Sequence, residues 1–416
     1  MKLLLSMLIS MTFMFASDAT IEVIKKVDSL PTLAVEDSSE HDNQTFKLKF
    51  FKAFVADLNV LSIFNVDRHY IVSDDYDEDT VDVKNKDKEY VIKYNIEADD
   101  RGFILEMKMI KQEEIVLSKK YKINDINKYM FVSHTMAYEI NEFMEQPSIE
   151  WMKKKVIFSR VVGPKRSEIV IADYTLAYQH VVVKGGFNLF PKWSSQEQDG
   201  FYYTSLSEQK PTLKYVDTRT GDIQNILSSE GMMTCSDVNL DGSKLLLTMA
   251  PDSQPDVYLY DVESKNYTRV TKYKGIDVGG QFMGDDKIIF VSDRLGYPNV
   301  FSKNIDNNEI EQMVYYGKNN SACSANGEYV IYKARESSNA FSRNTFNLHM
   351  ISTKTDFIRR LTASGVNEFP RFSKDSDAVL FIKNYKGQSS IGIIRLNHNK
   401  NYLFPLKYGK LQAMDW

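Results

Sequence analysis

Residues 231–275 read GMMTCSDVNLDGSKLLLTMAPDSQPDVYLYDVESKNYTRVTKYKG, and this stretch decides the fold. Gly231 opens it, Ser236 and Val238 follow five and seven residues later, and Asp241-Gly242 turns the chain into the apolar strand Lys244–Thr248. Asp-Gly tolerates the positive φ that a tight hairpin requires, so the pair joins two antiparallel strands. A third strand ends on Asp261, and a fourth, Tyr267–Thr271, runs into Gly275, where the pattern begins again. Four short strands in 44 residues make one blade of a β-propeller.

The pattern recurs in both directions. Glycines stand at 186, 231, 275, 317, 365 and 409, at intervals of 42 to 48 residues. Seven residues after each come Trp193, Val238, Phe282, Ser324, Phe372 and Trp416, of which five are apolar. Five residues after each come Pro191, Ser236, Gly280, Ala322, Pro370 and Met414, mostly small or turn-prone. Third strands end at Asp173, Asp217, Asp261, Asp306, Ser352 and Asn397. There are thus six third strands, but only five have a first strand ahead of them. Val156–Gly186 lacks its first strand, and Lys410–Trp416 is nothing but a first strand. Joined, they complete one blade and close the ring without an open edge. The expectation is an all-β six-bladed β-propeller over residues 151–416, its first blade closed by 410–416. An open array or sandwich would leave the two end fragments unexplained.

This register puts Cys235 in blade three and Cys323 in blade five. A disulfide needs Cα atoms within about 7 Å, so both thiols are expected to be buried and free. The six histidines are scattered without HxxxH or HExxH spacing, so no metal and no cofactor is expected.

Ahead of the ring, residues 20–150 form a small α/β (α+β) domain. Ile21–Val27 and Thr32–Val35 read as strands, and Phe51, Phe54, Val55, Leu58 and Leu61 repeat at helical spacing. Tyr90–Ala98 and Gly102–Ile110 alternate as a hairpin that Glu114–Ile123 extends. A second helix begins near the capping residues Asn124 and Asp125 and carries Ile126, Met130, Ala137, Ile140 and Met144. The acidic run Asp74, Asp75, Asp77, Glu78, Asp79 and Asp82 lacks the glycine and terminal glutamate of an EF-hand, so a solvated or partner-facing loop is expected rather than a calcium site.

The first sixteen residues differ in kind. Lys2 is followed by the nearly continuous apolar run Leu3 to Phe15 and by the small residues Ala16, Ser17 and Ala19. The run is short for a membrane span and has the length of a signal-peptide core. Residues 1–16 are therefore expected to be a signal peptide, cleaved as late as 19, rather than a buried helix. No Cys follows to carry a lipid anchor, and no later segment has the apolarity of a membrane span. A formal charge of −4 argues against a nucleic-acid partner. A soluble, exported monomer is expected.

The residues also carry a resemblance. Phe190-Pro191-Lys192-Trp193-Ser194 and Phe369-Pro370-Arg371-Phe372-Ser373 resemble the repeated P-x-[WF]-S-P-D-G block of the TolB family, the periplasmic component of the Tol–Pal system of Gram-negative bacteria. Leu361-Thr362 and Val270-Thr271 are similar to its blade-ending L-T, and Ala413-Met414-Asp415-Trp416 to its closing A-P-A-W. In the front domain Ala56-Asp57-Leu58, Ser62-Ile63-Phe64 and Ser133-His134 also fit. Glu145-Gln146-Pro147-Ser148-Ile149 departs from the family's T-G-x-x-G-x-F, and most blades lack the full S-P-D-G.

The resemblance implies an adaptor of the cell envelope, supporting outer-membrane integrity and cell division. It implies that the propeller's channel mouth binds a Pal-type lipoprotein through the loops leading into the inner strands. Those loops are represented by Phe187, Asn188, Met232, Met233, Ile276, Asp277, Asn319, Asn320, Asn367 and Glu368. It implies that the mature N-terminal segment, Thr20, Ile21, Glu22, Val23, Ile24, Lys25 and Lys26, engages a TolA-type inner-membrane protein, for which an edge strand suits. The rival class is a propeller hydrolase or a metal-dependent lactonase. The first needs a G-x-S-x-G domain that the sequence does not contain. The second needs inward ligands, for which Asp237, Asp277 and Glu368 are the candidates. Mixed polar side chains there suit a protein loop equally, and an adaptor rather than an enzyme is expected.

Overall fold

Asn43 accepts the Phe46 amide at 3.1 Å and so starts helix α1 (Gln44–Leu61), whose Phe46, Phe50, Phe54, Leu58 and Leu61 fall on one buried face. The computed structural model describes residues 30–416 apart from 74, 75, 101, 308 and 337–344. The signal-peptide reading, the strand Ile21–Val27 and the segment Thr20–Lys26 lie outside the described residues.

The front domain is a mixed sheet with two helices. Strand β1 (Thr32–Asp37) runs parallel to β2 (Asn65–Val66), β3 (Ile71–Val72) and β4 (Tyr90–Asp99). Strands β4, β5 (Gly102–Lys111) and β6 (Glu114–Ile123) form an antiparallel meander. Asp125 caps a short 3-10 turn that leads into α2 (Tyr129–Phe143). Tyr94 on β4 meets Phe50 and Phe54 of α1 edge-on, with ring centroids 5.1 and 6.5 Å away. Glu78 and Asp79 of the acidic run lie against buried lysines of the sheet. Lys93 donates to the Glu78 and Thr80 carbonyls, and Lys108 pairs with Asp79 at 2.7 Å.

Six four-stranded blades follow. Their inner strands are Lys410–Asp415 for blade one, then Asn188–Trp193, Met233–Val238, Asp277–Phe282, Lys318–Ala325 and Val366–Phe372. Lys410–Asp415 pairs antiparallel with Val156–Gly163, setting Met414 opposite Phe158 and Asp415 opposite Ile157. Trp416, just past that strand, donates its indole N–H to the Phe372 carbonyl at 3.0 Å and so ties blade one to blade six.

Some register details differ from the repeat as read from spacing: the third strand of blade six ends on Arg395, two residues before Asn397, and that of blade one on Ala172, just before Asp173. In blade five the apolar position is Ala325, not Ser324, because a bulge between Lys318 and Asn320 adds a residue. In blade four the third strand ends on Asn304, whose carboxamide caps the turn by accepting the Asp306 and Asn307 amides, so Asp306 lies beyond it.

The two domains share one continuous apolar core, and two buried polar latches cross it. His134 on α2 lies 2.8 Å from Asp57 on α1 and 3.3 Å from Asp173 in blade one, all three fully buried. Asp57 also accepts the hydroxyls of Ser133, at 2.5 Å, and Tyr174. Burial pushes the His134 pKa down, but the charge of Asp57 and the hydrogen bonds to both carboxylates outweigh it and raise it to about 9. The second latch is Arg395 of blade six. It donates to the Val60 and Leu61 carbonyls at 3.0 Å each, at the negative end of α1, and pairs with Asp377 at 2.5 Å.

Candidate functional site

The channel is shaped by how the inner strands bulge. In blades two, four, five and six the register skips two residues, and the first of them, Phe190, Gly279, Ala322 or Phe369, has positive φ. Glycine takes φ of 65° without strain, whereas Phe190 at 54° and Phe369 at 51° carry a real cost. In exchange two phenyl rings from the blades on either side of blade one meet 6.5 Å apart beside the channel. With Met232, Thr234, Val278 and Ala413 they line a funnel of about 220 Å³ at the mouth that the loops leading into the inner strands surround.

The funnel ends on a polar partition. Lys192, Gln281 and Arg371, from blades two, four and six, line both the funnel and a chamber of about 690 Å³ behind it. Lys192 pairs with Asp415 of blade one at 2.8 Å and with Asp237 of blade three at 2.9 Å. Arg371 donates to Gln281 at 2.7 Å, and Gln281 donates to the Ser236 carbonyl at 2.6 Å. The odd blades supply acceptors. Asp415 accepts the Trp193 amide at 3.0 Å, Asp237 the Phe282 amide at 2.9 Å, and Ser324 the Phe372 amide at 3.3 Å. Each odd blade is thereby stapled to the next even one. Burial lowers the Lys192 pKa, but the charges of Asp237 and Asp415 outweigh it and raise it, so this cation stays charged.

The residues singled out on the mouth loops divide into two groups. Asn188, Asn320 and Asn367 are buried and lock their own loops. Asn188 donates to Gly185 O at 2.6 Å, Asn320 to Tyr316 O at 2.9 Å, and Asn367 to Ser364 O at 3.1 Å. Asp277 holds the same register in blade four; it cannot donate, and accepts Arg294 at 3.1 Å on both oxygens instead. Met233 is likewise buried. Phe187, Asn319 and Glu368 are half-exposed, while Met232 and Ile276 are 44% and 47% exposed, so these five present a surface. The carboxylates considered as metal ligands are each engaged by a cation: Asp237 by Lys192, Asp277 by Arg294 and Glu368 by Lys333. Among the described residues no three His, Cys, Asp or Glu side chains cluster as a metal site.

The model of the TolB β-propeller domain matches residues 151–416. The Tol-Pal system protein TolB of Wolinella succinogenes is 45% identical over 422 residues, covering all of both chains. The chain belongs to the TolB family. The Campylobacter jejuni Tol-Pal system protein TolB is 40% identical over 417 residues, again covering both chains completely. The crystal structure of TolB from Acinetobacter baumannii superposes with a TM-score of 0.74 at 18% identity, covering 92% of this chain and 96% of that one, which shows that the fold is shared. Among the described residues no helix is long and apolar enough to cross a membrane.

Sequence reading passed over the Phe190 and Phe369 pair and the partition as parts of one site. Phe-Pro at 190–191 and 369–370 was the available signal, since a bulky residue before proline in a glycine-led turn marks an irregular strand.

Proposed function

We propose that this protein is the periplasmic adaptor of a Tol–Pal system. Its channel mouth takes a Pal-type lipoprotein, and its mature N-terminal segment, Thr20–Lys26, engages a TolA-type inner-membrane protein. In this reading residues 1–16 direct export, the adaptor acts without catalysis, and its linkage of envelope layers supports outer-membrane integrity and cell division. The observation that carries it is the full-length match to relatives named as Tol-Pal system proteins. The mouth supports it in physical terms: an apolar funnel that ends on ion pairs receives a protruding group, and Met232 and Ile276 stand exposed at its rim. The test uses purified ectodomains of both candidate partners from the same cell. The lipoprotein ectodomain is expected to co-elute with the full-length mature chain, and deletion of Thr20–Lys26 is expected to abolish binding of the TolA-type domain while sparing the lipoprotein. Failure of the lipoprotein to bind a folded chain refutes the reading.

A further inference from the structure

The two ends of the propeller carry opposite charge. Each inner strand starts at the mouth, so the mouth face is built from the loops that enter the inner strands and those that join second to third strands. Between described strands these loops hold eight Lys or Arg against four Asp or Glu, whereas the turns at the other end hold four against fourteen. The formal charge of −4 for the whole chain averages over this division. Most charges of the mouth that could cancel are already engaged. Glu208 pairs with Lys214 at 2.6 Å, Glu230 with Lys210, and Arg294 with Asp277. Asp293 accepts the Ile276 amide at 2.8 Å, and Asp252 remains exposed. Lys165, Lys184, Lys272, Lys274, Lys386 and Lys407 are exposed, and among the described residues none of the six is in an ion pair.

These lysines stand on opposite sides of the funnel. Lys407, on the connection from blade six to blade one, lies across the six-bladed ring from Lys272 and Lys274, on the connection from blade three to blade four. Unpaired like charges on one face repel one another in the free protein, and an acidic surface relieves that repulsion. A bilayer is flat, whereas these cations border a funnel of about 220 Å³ with the exposed Met232, Ile276, Tyr315, Tyr316 and Tyr408 among them, so a convex protein surface meets both features. We infer that the lipoprotein surface seated on this mouth is acidic around its protruding group, and that the lysines draw it in before contact. The inference rests on the adaptor reading above and adds to it the charge of the partner. Exposed charges act over about 10 Å at 0.1 M salt, so such attraction speeds encounter more than it deepens the bound state.

The test measures the association rate of the full-length mature chain with the purified Pal-type lipoprotein ectodomain of the same cell, in NaCl from about 25 to about 300 mM. Association is expected to slow about tenfold over that series. The double variant Lys272→Glu, Lys274→Glu reverses two exposed charges of the mouth. It is expected to slow association at least about threefold at low salt, to flatten the salt dependence and to leave the melting temperature unchanged. The double variant Lys244→Glu, Lys265→Glu makes the same change in net charge at exposed positions of the opposite face, and is expected to slow association less than the mouth variant does. Equal slowing by the two folded variants, or a rate that neither salt nor the mouth variant moves, would overturn the inference and leave the adaptor reading standing. Salt-sensitive binding of the wild type to phosphatidylglycerol vesicles, lost in the mouth variant, would make this face a membrane surface and overturn the inference as well. No binding of the lipoprotein at any salt would overturn both readings.

Discussion

His134 holds its proton between two carboxylates, which makes the junction between the domains a pH-dependent contact. Its folded pKa of about 9 exceeds the ordinary value of 6.5, so its stabilisation is complete below about pH 6.5 and is lost as pH rises through 9. Asp173 works in the opposite direction. Burial alone would raise its carboxyl, but the His134 hydrogen bond and charge hold it below the usual value of 3.8, so its contribution fades only as pH falls through the acid range. Melts followed from pH 6 to pH 10 should therefore show falling stability for the wild type. His134→Gln should cost about 3–5 kcal/mol at pH 6 and flatten that alkaline decline. A second residue-scale outcome concerns the thiols. Burial pushes Cys323 up to about 12 and Cys235 higher still, and the thiolate is the nucleophile. Both are free and buried, so iodoacetamide should modify neither in the native protein and both after unfolding, as counted by intact mass. Asn188, Asn320 and Asn367 follow three of the six loop glycines by two or three residues, and their burial was not legible. Spacing fixes where a side chain sits in the repeat, whereas its use as a lock depends on a backbone carbonyl folding back within reach, as Ser364 O does for Asn367.

At the scale of elements, the glycine spacing and the complementary end fragments were enough to read the six blades, because a blade cannot bury its faces alone. Less was legible where side chains set the boundary. Helix α1 begins seven residues before Phe51, at Gln44, because Asn43 supplies the cap and Phe46 and Phe50 prolong the apolar stripe. The closing strand is the element whose removal should matter most. Leu411 and Met414 are both 1% exposed, so Met414→Ala should cost about 2–5 kcal/mol, and deletion of Lys410–Trp416 should cost more by opening blade one. Denaturant melts of the two variants check this, and an unmoved midpoint on deletion would mean that the ring does not close through that strand. Sequence also left the latches unread. Asp173 was legible only as one more strand-ending polar residue, and Arg395, which ends the third strand of blade six, was not singled out. Both are turned toward α1 and α2 rather than toward their own turns alone, which spacing within the propeller cannot reveal.

Across the whole molecule, the channel is two cavities divided by a buried ion-pair network, with the front domain latched beside blades one and six. Removing one carboxylate of that network leaves Lys192 paired with Asp237 alone and weakens the Asp415 contact to the Trp193 amide. Asp415→Asn should therefore loosen both the closing strand and Lys192, by about 1–3 kcal/mol, measurable as a lowered melting temperature. The proposed division of labour places the lipoprotein at the funnel mouth and the inner-membrane partner on the N-terminal segment, so changes at one should leave the other intact. Met232 and Ile276 are exposed on the mouth loops, as are Tyr315, Tyr316 and Tyr408, and neither of the two is part of the buried core, so placing charge there tests the surface without unfolding the ring. The decisive measurement is a calorimetric titration of the Pal-type lipoprotein ectodomain into the wild-type chain and into a folded Met232→Asp, Ile276→Asp double variant. Binding by the wild type, weakened at least about fivefold in the variant, is the expected result; equal affinity in the two folded proteins would contradict a lipoprotein site at the funnel mouth.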